Sequence, residues 1–172
     1  MRAWLATVAL ALPACAGAAE PPPGDTFIAF ASSFSSFRTW ESFAVPAGSG
    51  AGPVHLTGPR TEYLNHAPPH GAAAFPVGTI VVKESEEGDI PDRKVFAMVK
   101  RGGDYNESGA RDWEWFELEN VDEDEVTIIW HGVGPPAGEM YGGDPKAGCN
   151  SCHLASAKND FVQSADLSLQ RF

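Results

Sequence analysis

The chain has 172 residues, with 12 Lys and Arg against 23 Asp and Glu, a net charge of −11 and a pI near 4.7. So acidic a chain is a poor partner for nucleic acid, whose phosphates must be neutralised by cations. Hydrophobic residues make up 43%, enough for one core at this length, and no apolar run reaches the roughly 20 residues of a membrane-spanning helix.

Residues 1–19 have the layout of a secretory signal peptide. Met1 and Arg2 give a positive start, residues 3–12 are apolar, and Ala16, Gly17, Ala18 and Ala19 form a small-residue cleavage region. The plain alternative is a flexible apolar tail. Leu12-Pro13-Ala14-Cys15 also loosely resembles a lipoprotein cleavage box, which would leave Cys15 as a lipid-anchored first residue. Export to the periplasm, or otherwise out of the cytoplasm, is the expectation in both signal readings. Residues 20–172 then form one domain.

Pro21, Pro22, Pro23 and Gly24 read as a stiff exit from the signal region. Over residues 27–40, Phe27, Ile28, Phe30, Phe34, Phe37 and Trp40 recur at spacings of three and four, which predicts one amphipathic helix. Residues 45–53 and 66–71 are rich in Gly, Pro and Ala and read as loops. Four short strands follow, over residues 78–84, 95–100, 113–118 and 126–130, separated by polar or Gly-rich breaks. Such spacing predicts an antiparallel sheet. Residues 133–148 are loop, and residues 150–170 are helical in part. The fold class is therefore α+β: mainly antiparallel β-sheet, with an N-terminal helix and a C-terminal helical segment. The 18 Gly and 14 Pro argue against a plain helical bundle.

Chemistry is concentrated in Cys149-Asn150-Ser151-Cys152-His153, a CxxCH string. Two thiols at this spacing reach the two vinyl groups on one edge of a haem, and the adjacent imidazole reaches the iron. Haem c, one per chain, is the cofactor this predicts. Two rivals remain. A thioredoxin-like redox pair belongs at a helix start near a βαβ pattern, and none is visible. Zinc needs about four ligands, and the third cysteine lies in the signal region. A two-residue gap also closes too small a loop for a useful structural disulfide.

Only 19 residues follow His153 and none is Met. The methionines after the signal region, Met98 and Met140, lie upstream, so no strong sixth ligand is evident. An open iron face would bind small molecules instead of only shuttling electrons. His55, His66, His70 and His131 are each candidate sixth ligands, with surface or loop histidine as the simpler reading of every one.

A C-terminal CxxCH on a β-rich domain resembles the cytochrome P-460 family, which includes the β-type cytochromes c-prime. The resemblance runs from about residue 38 to 164. It rests on Arg60-Thr61-Glu62-Tyr63, residues 78–84, Phe96 to Lys100, Asp112-Trp113-Glu114-Trp115 and residues 149–160. The resemblance implies a homodimer of a sheet-rich fold with haem at one sheet face. It also implies a small nitrogen ligand, hydroxylamine or nitric oxide, and a redox partner protein. In the hydroxylamine-oxidising branch a strand lysine is cross-linked to the haem, and Lys83 occupies that place. Thr79, Val81 and Lys83 would share one strand face; a lysine snorkelling at the strand edge is the alternative. Arg60 matches a distal-side arginine, with a surface arginine as its rival. At the place of the family's distal carboxylate stands Phe96, and a phenyl ring cannot act as a base. Phe96 would instead cap an apolar pocket or simply fill the core, and Glu62 or Glu114 would then supply a carboxylate. An enzyme and a nitric-oxide binder are both compatible with this set, and a six-coordinate electron-transfer cytochrome c is the alternative. Trp113, Trp115 and Trp130 read as core or rim aromatics. The acidic run Asp122 to Glu125 reads as a solvated turn, or less simply as a guide for a basic redox partner.

Overall fold

A computed structural model of the protein describes residues 25–48, 58–137 and 148–172. The signal-like segment with Cys15, together with His55 and Met140, lies outside the described residues. Six strands, β1 (Glu41–Val45), β2 (Arg60–Leu64), β3 (Ile80–Ser85), β4 (Val95–Lys100), β5 (Trp113–Asn120) and β6 (Val126–Gly132), form one antiparallel sheet in chain order. The four strands expected from β-branched and aromatic runs are β3 to β6. The sheet has two more strands than were expected, β1 and β2.

Register assigns the side chains to two faces. Phe43, Glu62, Lys83, Phe96, Glu117 and Trp130 lie side by side in one row across the sheet. Leu64, Val81, Met98 and Trp115 form the next row of the same face, because strand side chains alternate with period two. The opposite face carries Tyr63, Ile80, Val82, Ala97, Val99 and Phe116, packed with Phe34 and Phe37 of the N-terminal segment. Both faces are covered, so the central strands read as continuous apolar runs. A β-bulge between Glu117 and Leu118 sets the pairing with β6, where Glu117 faces Trp130 and Leu118 faces Ile128.

The N-terminal segment is helical only in part. Thr26 bridges to Gly102 and the Phe27 amide donates to the Arg101 carbonyl at 2.8 Å. Two short 3-10 turns follow, Ala31–Phe34 and Phe37–Thr39, with Ser36 between them in a left-handed conformation at φ 55°. The apolar periodicity identified the buried residues Phe34 and Phe37, but the serines compete for the backbone: Ser33 Oγ accepts from the Phe30 amide. A single regular helix does not form.

At the C-terminus a five-residue helix, α1 (Cys149–His153), runs into a 3-10 stretch, Leu154–Asn159. Asp160 and Phe161, both at positive φ, turn the chain back so that Val162, Leu167 and Leu169 pack beside Leu64, Val81 and Met98. The acidic run is an exposed turn in which Asp122 Oδ1 accepts from the amides of Asp124 and Glu125, each at 2.8 Å.

Candidate functional site

α1 rests on the sheet face that carries Val81 and Lys83. Cys149 is buried and Cys152 half-buried, and neither is in a disulfide. His153 is buried as well. Its Nδ1 lies 2.6 Å from the Phe161 carbonyl oxygen. A carbonyl only accepts, so Nδ1 carries the proton and the imidazole lone pair sits on Nε2. This is the arrangement by which metal-binding histidines are oriented from behind. The ring packs against Trp115, centroid to centroid 4.4 Å and tilted by 51°.

A cavity of about 50 Å³ brings Val81, Lys83, Phe96 and Met98 from the sheet together with Cys149 and His153. A larger cavity of about 630 Å³, also lined by Lys83, lies between Arg60, Glu62 and the C-terminal segment around Lys158 and Asp166. That volume is within the range of small-molecule and cofactor sites. The resemblance expected Lys83 and Phe96 beside the Cys149–His153 motif, and all four line one cavity. Arg60 lies at the second cavity.

In the lining of the second cavity, Arg60 and Lys83 converge on Glu62, which is fully buried. Its Oε1 is 3.2 Å from Arg60 Nε and 3.6 Å from Lys83 Nζ, while Oε2 has no hydrogen-bond partner. Loss of water lowers the pKa of Lys83, and the nearby Glu62 carboxylate partly opposes this. Burial pushes the Cys149 thiol up to about 12.

Glu114, the other carboxylate considered from the sequence, pairs with Val99 in the sheet and so belongs to the opposite face. There it binds His131 Nδ1 at 2.7 Å and Arg101 Nη1 at 3.0 Å. His66, His70 and His131 are exposed and none lines the cavity at His153. Met98 does line it.

These residues suit a covalently held haem. The two thiols and an imidazole with its lone pair on Nε2 lie within the five-residue helix α1, and Cys149 and His153 line the apolar cavity. A redox cysteine pair needs a lowered thiol pKa, the reverse of what burial does to Cys149. Among the described residues, no group of three or more His, Cys, Asp or Glu converges as a metal-ion site would require. The sequence reading did not find Asn150, whose amide fastens α1 to the sheet, nor the Phe161 carbonyl. No sequence signal marks either: the motif leaves its middle positions open, and a backbone acceptor has no residue type.

Compared with known proteins, the chain matches no family model, no curated protein sequence and no solved structure.

Proposed function

We propose that the chain is an exported mono-haem c-type cytochrome resembling cytochrome P-460, with haem c held by Cys149 and Cys152 and its iron ligated by His153. The observation that carries this reading is the meeting of Cys149, His153, Lys83 and Phe96 at one cavity on a single sheet face. When bound, haem would supply an iron position open to a small nitrogen compound, hydroxylamine for oxidation or nitric oxide for binding.

The remaining roles belong to this chain's own side chains. Phe161, through its carbonyl, holds the His153 imidazole in the tautomer that presents Nε2. Phe96 and Val81 keep the cavity apolar and exclude water. Loss of water favours the neutral amine of Lys83, and only that form has the lone pair a bond to the haem edge would need; such a bond would replace one N–H and one haem C–H and pass two protons and two electrons to a two-electron oxidant such as a peroxide. Glu62, with Oε2 unpartnered, is the carboxylate positioned to accept a proton near Lys83. Signal cleavage or lipid anchoring at Cys15, a homodimer and a redox partner belong to the same proposal.

Met98 favours a second reading. Its side chain faces the cavity that His153 lines, so a six-coordinate electron-transfer haem with Met98 as sixth ligand is the alternative.

One preparation tests both readings: the full chain made in a host that assembles c-type cytochromes, examined by intact mass and absorption. One haem added per chain and a high-spin ferrous spectrum are expected. A red-shifted ferrous Soret band with additional loss of hydrogen mass would mark a Lys83 cross-link, and Lys83→Tyr would abolish both signs. A low-spin spectrum that turns high-spin in Met98→Leu would establish the electron carrier instead. A colourless chain with both thiols open to alkylation would sink the haem reading.

A further inference from the structure

The first residue between the two cysteines, Asn150, makes five hydrogen bonds. Its Nδ2 donates to Asn106 Oδ1 at 2.9 Å and to the Val133 carbonyl at 3.0 Å. Its Oδ1 accepts from Asn106 Nδ2 at 2.8 Å, from the Ala110 amide at 3.1 Å and from Trp115 Nε1 at 3.0 Å. Both amide hydrogens and the whole acceptor capacity are thus engaged. The partners come from the 102–112 turn region, from β5 and from the chain after β6, so one side chain ties the motif helix to three parts of the fold. The fit is close: a Cβ at Gly109 would collide with the Asn150 amide. Asn106, the reciprocal partner, is itself in a left-handed conformation at φ 59° and also donates to the Trp113 carbonyl at 3.1 Å.

One of these bonds reaches the His153 imidazole indirectly. The Trp115 indole that Asn150 holds by its Nε1–H is the ring against which His153 packs at 4.4 Å. The imidazole is therefore set from two directions, by the Phe161 carbonyl at Nδ1 and by the Trp115 ring at its face. Both touch the imidazole directly, and Asn150 acts on it through the second.

We infer that Asn150 is a positioning residue for the iron site: it docks the cysteine-bearing helix and, through Trp115, sets the orientation of the His153 imidazole. This rests on the haem reading. The bare CxxCH pattern, in which the residue after the first cysteine is unspecified, carries no such role; here the amide at that position is the element that couples the helix to the sheet.

The test compares the matured, haem-loaded wild-type chain with Asn150→Ala, Asn150→Asp and Trp115→Phe, reading haem content and the ferric electron paramagnetic resonance signal. That signal's rhombicity follows the orientation of the axial imidazole whether the iron is high-spin or low-spin. Covalent haem is expected in all four, because both cysteines and His153 remain. Asn150→Ala should shift and broaden the signal. Trp115→Phe, which keeps a ring and loses only one bond, should shift it less in the same direction. Asn150→Asp, which keeps the acceptor for Ala110 and Trp115, should lie nearest wild type. Should Asn150→Ala fail to accumulate, Asn150→Ser, which also removes the amide oxygen that Trp115 binds, takes its place. Wild-type signals in Asn150→Ala and Trp115→Phe would overturn the inference and leave the haem reading intact. A wild-type chain without haem would overturn that reading, and this inference with it.

Discussion

Cys149 is 7% exposed, and removal from water raises its pKa from an ordinary 9.0 to about 12. The thiolate fraction at neutral pH falls by about a thousandfold, a factor of ten for each pH unit. In the haem-free chain, iodoacetamide should therefore label Cys149 roughly thirty- to sixtyfold more slowly than an unfolded-peptide thiol, because the greater nucleophilicity of a high-pKa sulfur offsets part of the lost thiolate. Labelling should recover on denaturation. A native rate equal to the denatured one would refute the burial. The pH dependence has a definite sign. The folded thiol keeps its proton to higher pH than the unfolded one, so its contribution to stability is complete below pH 9 and is lost as pH rises toward about 12. At this scale the sequence was informative where residue chemistry is local. Cys149, Cys152 and His153 announce themselves by spacing. Glu62 does not, because whether a strand carboxylate is buried beside Lys83 or solvated depends on register with β3, which no local pattern contains.

β3 to β6 were readable because β-branched and aromatic residues dominate them and turn residues separate them. β1 and β2 were not. Glu41–Val45 and Arg60–Leu64 mix charged and apolar residues, and β2 is buried with Arg60 and Glu62 inside it. A strand that buries an ion pair does not look like a strand until its partners are known. The N-terminal segment shows the converse: its helical periodicity marks the right apolar face, while hydrogen bonding by serines decides the local backbone. Gly102 locks that segment to the sheet. It adopts φ 75°, bridges to Thr26, and a Cβ there would collide with the Asp25 carbonyl and Val77. Gly102→Ala should lower unfolding free energy by about 1–3 kcal/mol, the order of a strained left-handed backbone. Chemical denaturation measures this; an unchanged midpoint would show that the position accepts a Cβ without strain.

Across the molecule, the C-terminal segment is fastened to the sheet by Lys100 and Asp160. Lys100 Nζ lies 2.8 Å from Asp160 Oδ1, and Asp160 Oδ2 accepts from the Phe75 amide at 2.9 Å. Both charged side chains are buried, at 7% and 9% exposure. Breaking such a pair strands one charge, at a cost of about 3–5 kcal/mol, so Lys100→Met should destabilise by about that amount. Desolvation already raises the Asp160 pKa, with Lys100 opposing, and removing Lys100 raises it further. A folded carboxyl with a raised pKa binds more protons than the unfolded one. The variant's deficit should therefore grow as pH rises through the folded pKa and shrink on acidification. Denaturant titrations of variant and wild type across pH check this. A deficit that stays constant would rule out Asp160 as its source. Lys100→Met with Asp160→Asn should recover part of the loss, since the amide leaves no buried charge, still offers an acceptor to the Phe75 amide and tolerates the left-handed backbone at φ 47°.

The sequence by itself determined a mainly antiparallel sheet and singled out a CxxCH turn, because strand preference and thiol–imidazole spacing are properties of neighbouring residues. Only the tertiary structure decided that Lys83, Phe96 and Met98 face that turn, that Glu114 lies on the other side of the sheet, and that Asn150 fastens the motif helix. Those outcomes follow from strand register and from a chain reversal at Asp160 and Phe161. A shift of one residue in register would send every one of the strand side chains to the opposite face.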